Sequence, residues 1–320
     1  SPLCEHAVAD WLGRFAAERS LALRSDVHGN LTLRYRRGAS CGRPWTFCAH
    51  MDHPGFMAER MLRSGVLLAA WRGGVPPELF AGARVRFFSE GRWVRGRVLC
   101  AGRRHATGKP RTARIQVQRP VTPGSVGMWD FPDPHVRGKL LFARGHDDVA
   151  SVAAIACVLD EVCRTGRNAH FHAFFTRAEE SGFLGAIGAC KTGSLPKRCR
   201  VLALETSRAL ANARLGDGVV IRVGDKTSIF DPGVTSMVCA AAADLARRSR
   251  RFRFQRKLMD GGTCESAVYS AYGYEAGGLC LPLGNYHNVD WDRMRLGPEY
   301  IHLDDFEAMV RLLLHLAAGA

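Results

Sequence analysis

Two histidines and five acids in this chain are placed as the parts of one polar centre: His50, Asp52, Asp147, Glu179, Glu180, Glu205 and His287. Glu179 and Glu180 stand side by side in "FFTRAEESGF", just past an apolar run. Adjacent carboxylates repel, and neither is cheap to bring near a core, so a cation is needed to hold them. Two divalent ions about 3.5–4 Å apart meet that need when one carboxylate bridges them and His and acid ligands flank each ion. Here His50 and His287 serve as the terminal imidazoles, Asp147 as the bridge, and Glu180 and Glu205 as one carboxylate for each ion. Glu179 is left free to take a proton from an attacking water and return it to a leaving amine. Asp52, two residues past His50, lies on the same side of an extended chain and orients that imidazole through its other nitrogen. The chemistry expected of such a centre is metal-assisted amide hydrolysis. Zinc is the expected ion, with cobalt as the alternative. His53 competes with His50, and Asp148 with Asp147; Asp148 is otherwise expected to cap the helix that follows.

The elements that carry these residues share one pattern. "WTFCA" ends in His50, "FHAFFTRA" in Glu179-Glu180, "RVLAL" in Glu205 and "GGLCLPLGNY" in His287. A fifth run, "KLLFARGH", leads into Asp147-Asp148 and the helical pattern "VASVAAIACVLDEV". Short apolar runs alternating with helices predict an α/β fold, a mostly parallel sheet sandwiched by helices. Sites in such folds form beyond the carboxyl ends of the strands. "EHAVADWLGRFAAER" reads as an amphipathic helix, and "LALRSDVHGNLTLRYR" as a hairpin around Gly29-Asn30. Between residues 58 and 137 the pattern changes to short alternating strands ("GVLLAAW", "ARVRFF", "RWVRGRVL", "ARIQVQR") without a helix. That predicts an inserted small all-β barrel domain, with the α/β domain built from 1–57 and 138–320.

Composition narrows the class. The 320 residues are 47% hydrophobic and 23% charged, an ordinary globular balance. No apolar run is long enough to span a membrane as a helix. The 11 cysteines form no CxxC pair and include singles such as Cys157, expected to act as a small hydrophobe inside its helix. With no secretory leader in view, a reducing, cytoplasmic setting is expected. The net charge of +15 concentrates in the insert, where 14 Arg and one Lys face five acids, 15 − 5 = +10. Arginine dominates the whole chain, so compositional bias accounts for the charge better than nucleic acid, for which no motif is present. In "RRSRRFRFQRK" the phenylalanines Phe252 and Phe254 are expected to face inward from a strand between solvated arginines. Cys264 reads as buried and inert, and His105, His135, His170 and His172 as surface or core residues.

The segments "AHMDHPGF", "GHDDVAS", "EESGFLGA", "LALETS", "RLGDG", "GGTCESA" and "NYHN" occur in the order of the motifs of the dizinc tetrahedral aminopeptidase (glutamyl-aminopeptidase-like) family, which the chain resembles over nearly its whole length. The resemblance includes the insert. It implies metal ligands His50, Asp147, Glu180, Glu205 and His287, the base Glu179, a zinc-exopeptidase-like core, peptide substrates, and a homo-oligomer built through the insert. The expected function is release of N-terminal residues from peptides. Three positions depart from the family pattern: Glu205 where aspartate is usual, Cys264 where aspartate is commoner, and His287 in "GNYHN" rather than beside arginine and tyrosine. Glutamate at position 205 is familiar from related carboxypeptidases and deacylases, which makes a dizinc deacylase or carboxypeptidase-type amidohydrolase the alternative. A non-catalytic binding protein of the same fold is a further one.

Overall fold

The computed structural model of the chain describes residues 1–38, 42–102 and 110–319; Cys41 and His105 lie outside these. An eight-stranded sheet runs in the order Leu23–Ser25, Leu31–Arg37, Ala169–Thr176, Trp45–His50, Arg200–Arg208, Ala276–Leu283, Val219–Asp225, Phe254–Met259. The sheet is mixed: the centre is parallel from Ala169–Thr176 to Ala276–Leu283, and Phe254–Met259 is parallel to its neighbour. Leu31–Arg37 joins antiparallel on both of its edges, as does Val219–Asp225 on Ala276–Leu283. The expected hairpin supplies the first of these edges, its turn held by the Asp26 carboxylate, which accepts from the amides of His28 and Asn30.

Central strands bury both faces, which is why they read as unbroken apolar runs. On Trp45–His50, Phe47 and Ala49 pack with the helices His6–Glu18, Val149–Thr165, Pro232–Arg248 and Leu303–Ala318, while Cys48 points the other way. There it meets the short helices Leu184–Thr192 and Glu265–Ala271 through Ala186, Ala189 and Tyr269. Burying each such large apolar side chain stabilises by roughly 1.5–3 kcal/mol. Cys157 departs from expectation: the helix Val149–Thr165 turns it outward, and it is exposed. Phe252 is buried and Phe254 packs on the same core, but the strand begins only at Phe254, so the arginines before it belong to a helix end and a turn.

The insert is a closed six-stranded antiparallel barrel: Gly55–Arg63, Val66–Arg72, Thr112–Val117, Arg92–Ala101, Arg84–Ser89 and Val126–Trp129. Its core is aromatic, with Phe56 set 4.6 Å from Trp71 and 4.9 Å from Trp129, ring centre to ring centre. Val289, fully buried, belongs to this barrel core although it follows His287 by only two residues.

The run into Asp147 does not join the main sheet. Leu140–Ala143 lies in a small antiparallel sheet between His135–Arg137 and Glu299–His302. One of its two partners there comes from the far end of the chain, so the apolar run alone cannot reveal which sheet it enters. Glu205 also differs from expectation. The strand Arg200–Arg208 continues past it, and Glu205 pairs with Cys280 inside the ladder.

Candidate metal centre

Glu179 and Glu180 occupy a single turn of 3-10 helix between the strand Ala169–Thr176 and the helix Leu184–Thr192. The turn is tight: Ala178, just before it, sits at φ 50° and Phe183 at φ 60°. Left-handed backbone at non-glycine residues costs on the order of 1–3 kcal/mol each and persists where neighbours over-determine it. The neighbours are visible. Asp52, fully buried, accepts the amide of Glu179 at 3.0 Å and that of Glu180 at 3.1 Å, one on each carboxylate oxygen. Glu5 accepts the Ala178 amide and pairs with Arg177 at 2.8 Å. Gly185 starts the next helix hard against Arg177, where a Cβ would lie 2.6 Å from its backbone, so only glycine fits.

His50 ends its strand with the ring buried. Its Nδ1 donates to the Asp52 carbonyl at 3.1 Å, with the Asp52 carboxylate 3.5 Å away; that bond places the proton on Nδ1. Nε2 faces Asp147 Oδ1 at 3.2 Å, Glu205 Oε1 at 3.5 Å and Glu179 Oε2 at 3.9 Å. On the other side, His287 Nε2 faces Glu180 Oε1 at 3.2 Å and Asp147 Oδ2 at 3.4 Å. His287 takes a left-handed φ of 57° and stacks on Tyr286, ring centres 3.9 Å apart. The structure thus brings six of the seven residues together as two triads, His50–Glu179–Glu205 and Asp147–Glu180–His287, with Asp52 behind them. Asp147 offers one oxygen toward each imidazole.

Four carboxylates crowd around two imidazoles in this cluster. Asp147 Oδ1 is buried and receives no hydrogen bond despite its closeness to His50. Burial pushes the Glu179 carboxyl well above the usual range, with Glu205 and Glu180 adding repulsion, and burial and Asp147 raise Glu205. Burial disfavours a charged His50 or His287, yet the carboxylates win and hold both imidazoles well above their ordinary value. Cations satisfy all of these groups at once, so the residues fit a pair of divalent ions. Without them, protons must fill the gap. Metal loading should therefore release protons, and affinity should rise with pH. Calorimetric titration in two buffers of different ionisation enthalpy reads the release; identical heats in both would count against the reading.

Around the ligands lie residues that sequence reasoning did not single out. Glu299, fully buried, accepts the amides of His146 at 2.6 Å and Asp147 at 3.1 Å and so fixes the bridge position; burial pushes its pKa up to about 7. Its signal was a lone acid opening the apolar segment "EYIH". His53 lies outside both triads: Nδ1 bonds to the Asp147 carbonyl and Nε2 to Asn288 Oδ1 at 3.1 Å. Asp148 does not cap its helix. It stands at the cap position without a side-chain capping bond and turns Oδ2 to the His50 amide at 3.3 Å instead. Asp148 nevertheless lies near Asp147 and Glu205, and its Oδ1 is buried without a hydrogen bond. Asp52 is held below its ordinary range because His50 and the two amides offset the effect of burial. Cys264 is buried, and its thiol is pushed up to about 12 by that burial, an inert state. His135 is exposed, and His170 and His172 are half-buried, all three outside the two triads.

The cluster opens into a cavity of about 310 Å³, walled by Ser207, Arg208, Arg222, Gly262, Tyr286 and Trp291. Arg222 interrupts the apolar strand "VVIRVGD" and is 2% exposed. It donates to Ser207 Oγ at 3.2 Å, and its Nε is buried without a hydrogen-bond partner. A charged residue inside an apolar run was the available clue.

A family model, M42 glutamyl aminopeptidase, matches residues 29–312. Comparison with curated proteins gave no match. Among solved structures, the chain is similar to an aminopeptidase of the archaeon Desulfurococcus kamchatkensis, with 20% identity and a TM-score of 0.79 over 99% of this chain and 90% of that one. It is similar also to a TET aminopeptidase of a marine sediment Thaumarchaeota archaeon, with 16% identity and a TM-score of 0.80 over 97% and 91%. The Pyrococcus horikoshii TET1 peptidase, which can assemble into a tetrahedron or a large octahedral shell, aligns with 20% identity and a TM-score of 0.77 over 98% and 94%. With the family model spanning most of the chain and the two triads in place, this chain belongs to the M42 glutamyl aminopeptidase family and is a metal-dependent hydrolase that releases N-terminal residues from peptides.

Proposed function

We propose that the two triads hold two zinc ions, with Asp147 shared, His50 and Glu205 on one ion and Glu180 and His287 on the other. The single observation behind this reading is that Asp147 directs its two oxygens to two different imidazoles, at 3.2 and 3.4 Å. Bound there, the ions supply Lewis acidity to the attacking water and the scissile carbonyl. The chain's own residues do the rest. Glu179, at the cavity wall, takes the proton of the water and passes it to the departing amine. Asp52 positions both His50 and the Glu179–Glu180 turn; it acts through them. Elemental analysis tests the reading: two zinc ions per chain are expected, and a purified, active chain with one ion or none overturns it.

Arg222 supports a finer assignment, a first substrate residue with an acidic side chain. A buried guanidinium whose residue lines the cavity wall suits a carboxylate, and charge-assisted hydrogen bonds of this kind contribute roughly 1.5–3 kcal/mol. Arg222→Met should lower kcat/KM for glutamyl anilide by about 10- to 100-fold while leaving leucyl anilide nearly unchanged. An equal loss on both substrates would end this assignment. We further propose that residues 58–137 serve assembly of several copies or substrate access, and that the enzyme works in the cytoplasm. Support for assembly comes from the shell-forming structural neighbour. No helix is long and apolar enough to cross a membrane among the described residues.

A further inference from the structure

The charge of the insert is organised, not scattered. On the antiparallel pair Arg84–Ser89 and Arg92–Ala101, Arg84 lies directly opposite Arg97 and Arg86 directly opposite Arg95. Like charges facing one another across a ladder destabilise it. One carboxylate, Asp130, stands between them, 3.5 Å from Arg95 and 3.8 Å from Arg86. Asp133 reaches only the outer side, toward Arg86 and Arg144. The next pair along this face of the ladder is Phe88 opposite Trp93, each 44% exposed. Arg84, Arg95 and Arg97 border a groove of about 620 Å³, whose lining also includes Asp130, Gln116, Gln118 and Phe131.

We propose that this groove binds an extended, acidic peptide segment. Residues two apart on a strand lie about 6.8 Å apart and face one way, so alternate carboxylates on an extended peptide can meet the Arg84–Arg97 pair at one step and Arg95 at the next. Guanidinium forks match carboxylates with two hydrogen bonds. The amides of Gln116 and Gln118 both donate and accept, as a peptide backbone requires. A nucleic-acid strand fits less well, because it needs free ring faces for its bases. Trp93 has Arg86 seated over its ring at 4.4 Å and Phe88 against it at 5.2 Å. A second copy of the chain fits less well too, since a two-fold contact here sets arginine on arginine.

The test uses the full-length, metal-loaded enzyme and a fluorescent, N-acetylated peptide of alternating glutamate and serine, which has no free amine to be trimmed. Anisotropy should report binding at 50 mM salt that weakens several-fold at about 200 mM. The double variant Arg84→Glu/Arg97→Glu should weaken it at least about tenfold while glutamyl-anilide turnover stays within about twofold of wild type. The milder Arg84→Gln/Arg97→Gln should keep or raise the melting temperature, because like-charge repulsion is relieved. Unchanged peptide affinity in both variants overturns the proposal. So does tighter binding of an oligonucleotide of equal charge, or a variant whose only change is its oligomeric state.

Discussion

Glu179→Gln should retain two metal ions per chain and lose about 10²- to 10⁴-fold in kcat, with KM little changed. The turn that presents residue 179 is held by its backbone amide on Asp52, a bond the amide side chain does not disturb. The proposed ligands, Glu180 among them, keep their own carboxylates. What is removed is the group proposed to carry a proton from water to the departing amine. Burial pushes its carboxyl well above the usual range, and bound cations would draw it back down. A metal-loaded variant with wild-type turnover would show that another group moves the proton.

Asp147→Ala should cost both ions at once. Removing an outer residue that supports a ligand typically lowers metal affinity by about 10- to 100-fold; removing the carboxylate that both imidazoles face should exceed that. The readout need not be activity. A ligand bound only by the native state adds about 2.7 kcal/mol of stability at a hundredfold excess over its Kd. Wild-type chain should therefore melt higher with metal than after chelation, and the substitution should erase most of that difference. A variant with the full metal-dependent rise in melting temperature would show that the ions bind elsewhere.

Much of this centre was legible because an apolar run has little physical reason to stop at a His or an acid unless that side chain is wanted at the strand end. His50, Glu179, Glu180 and His287 all follow that pattern, and the structure brings them within reach of one another with Asp147. Arg222 and Glu299 escaped because each sits within an apolar segment, where a charged residue is easily absorbed into the reading of a core strand. The direction of the Asp148 side chain depends on local backbone torsions that residue type does not specify. The membership of Leu140–Ala143 in a separate small sheet depends on a pairing with Glu299–His302 from the far end of the chain. Cys157 failed for a simpler reason: one step of about 100° around a helix separates its buried neighbours from solvent.

The placement of Val289 in the barrel core ties two parts of the molecule that the sheet order keeps separate. A hand on the barrel is a hand on His287, two residues upstream, which the turn holds in a left-handed twist. A tilt of the barrel that carried Val289 with it would move that imidazole relative to Asp147 and Glu180. A neighbouring subunit that clamped the barrel would sharpen the pocket without touching it.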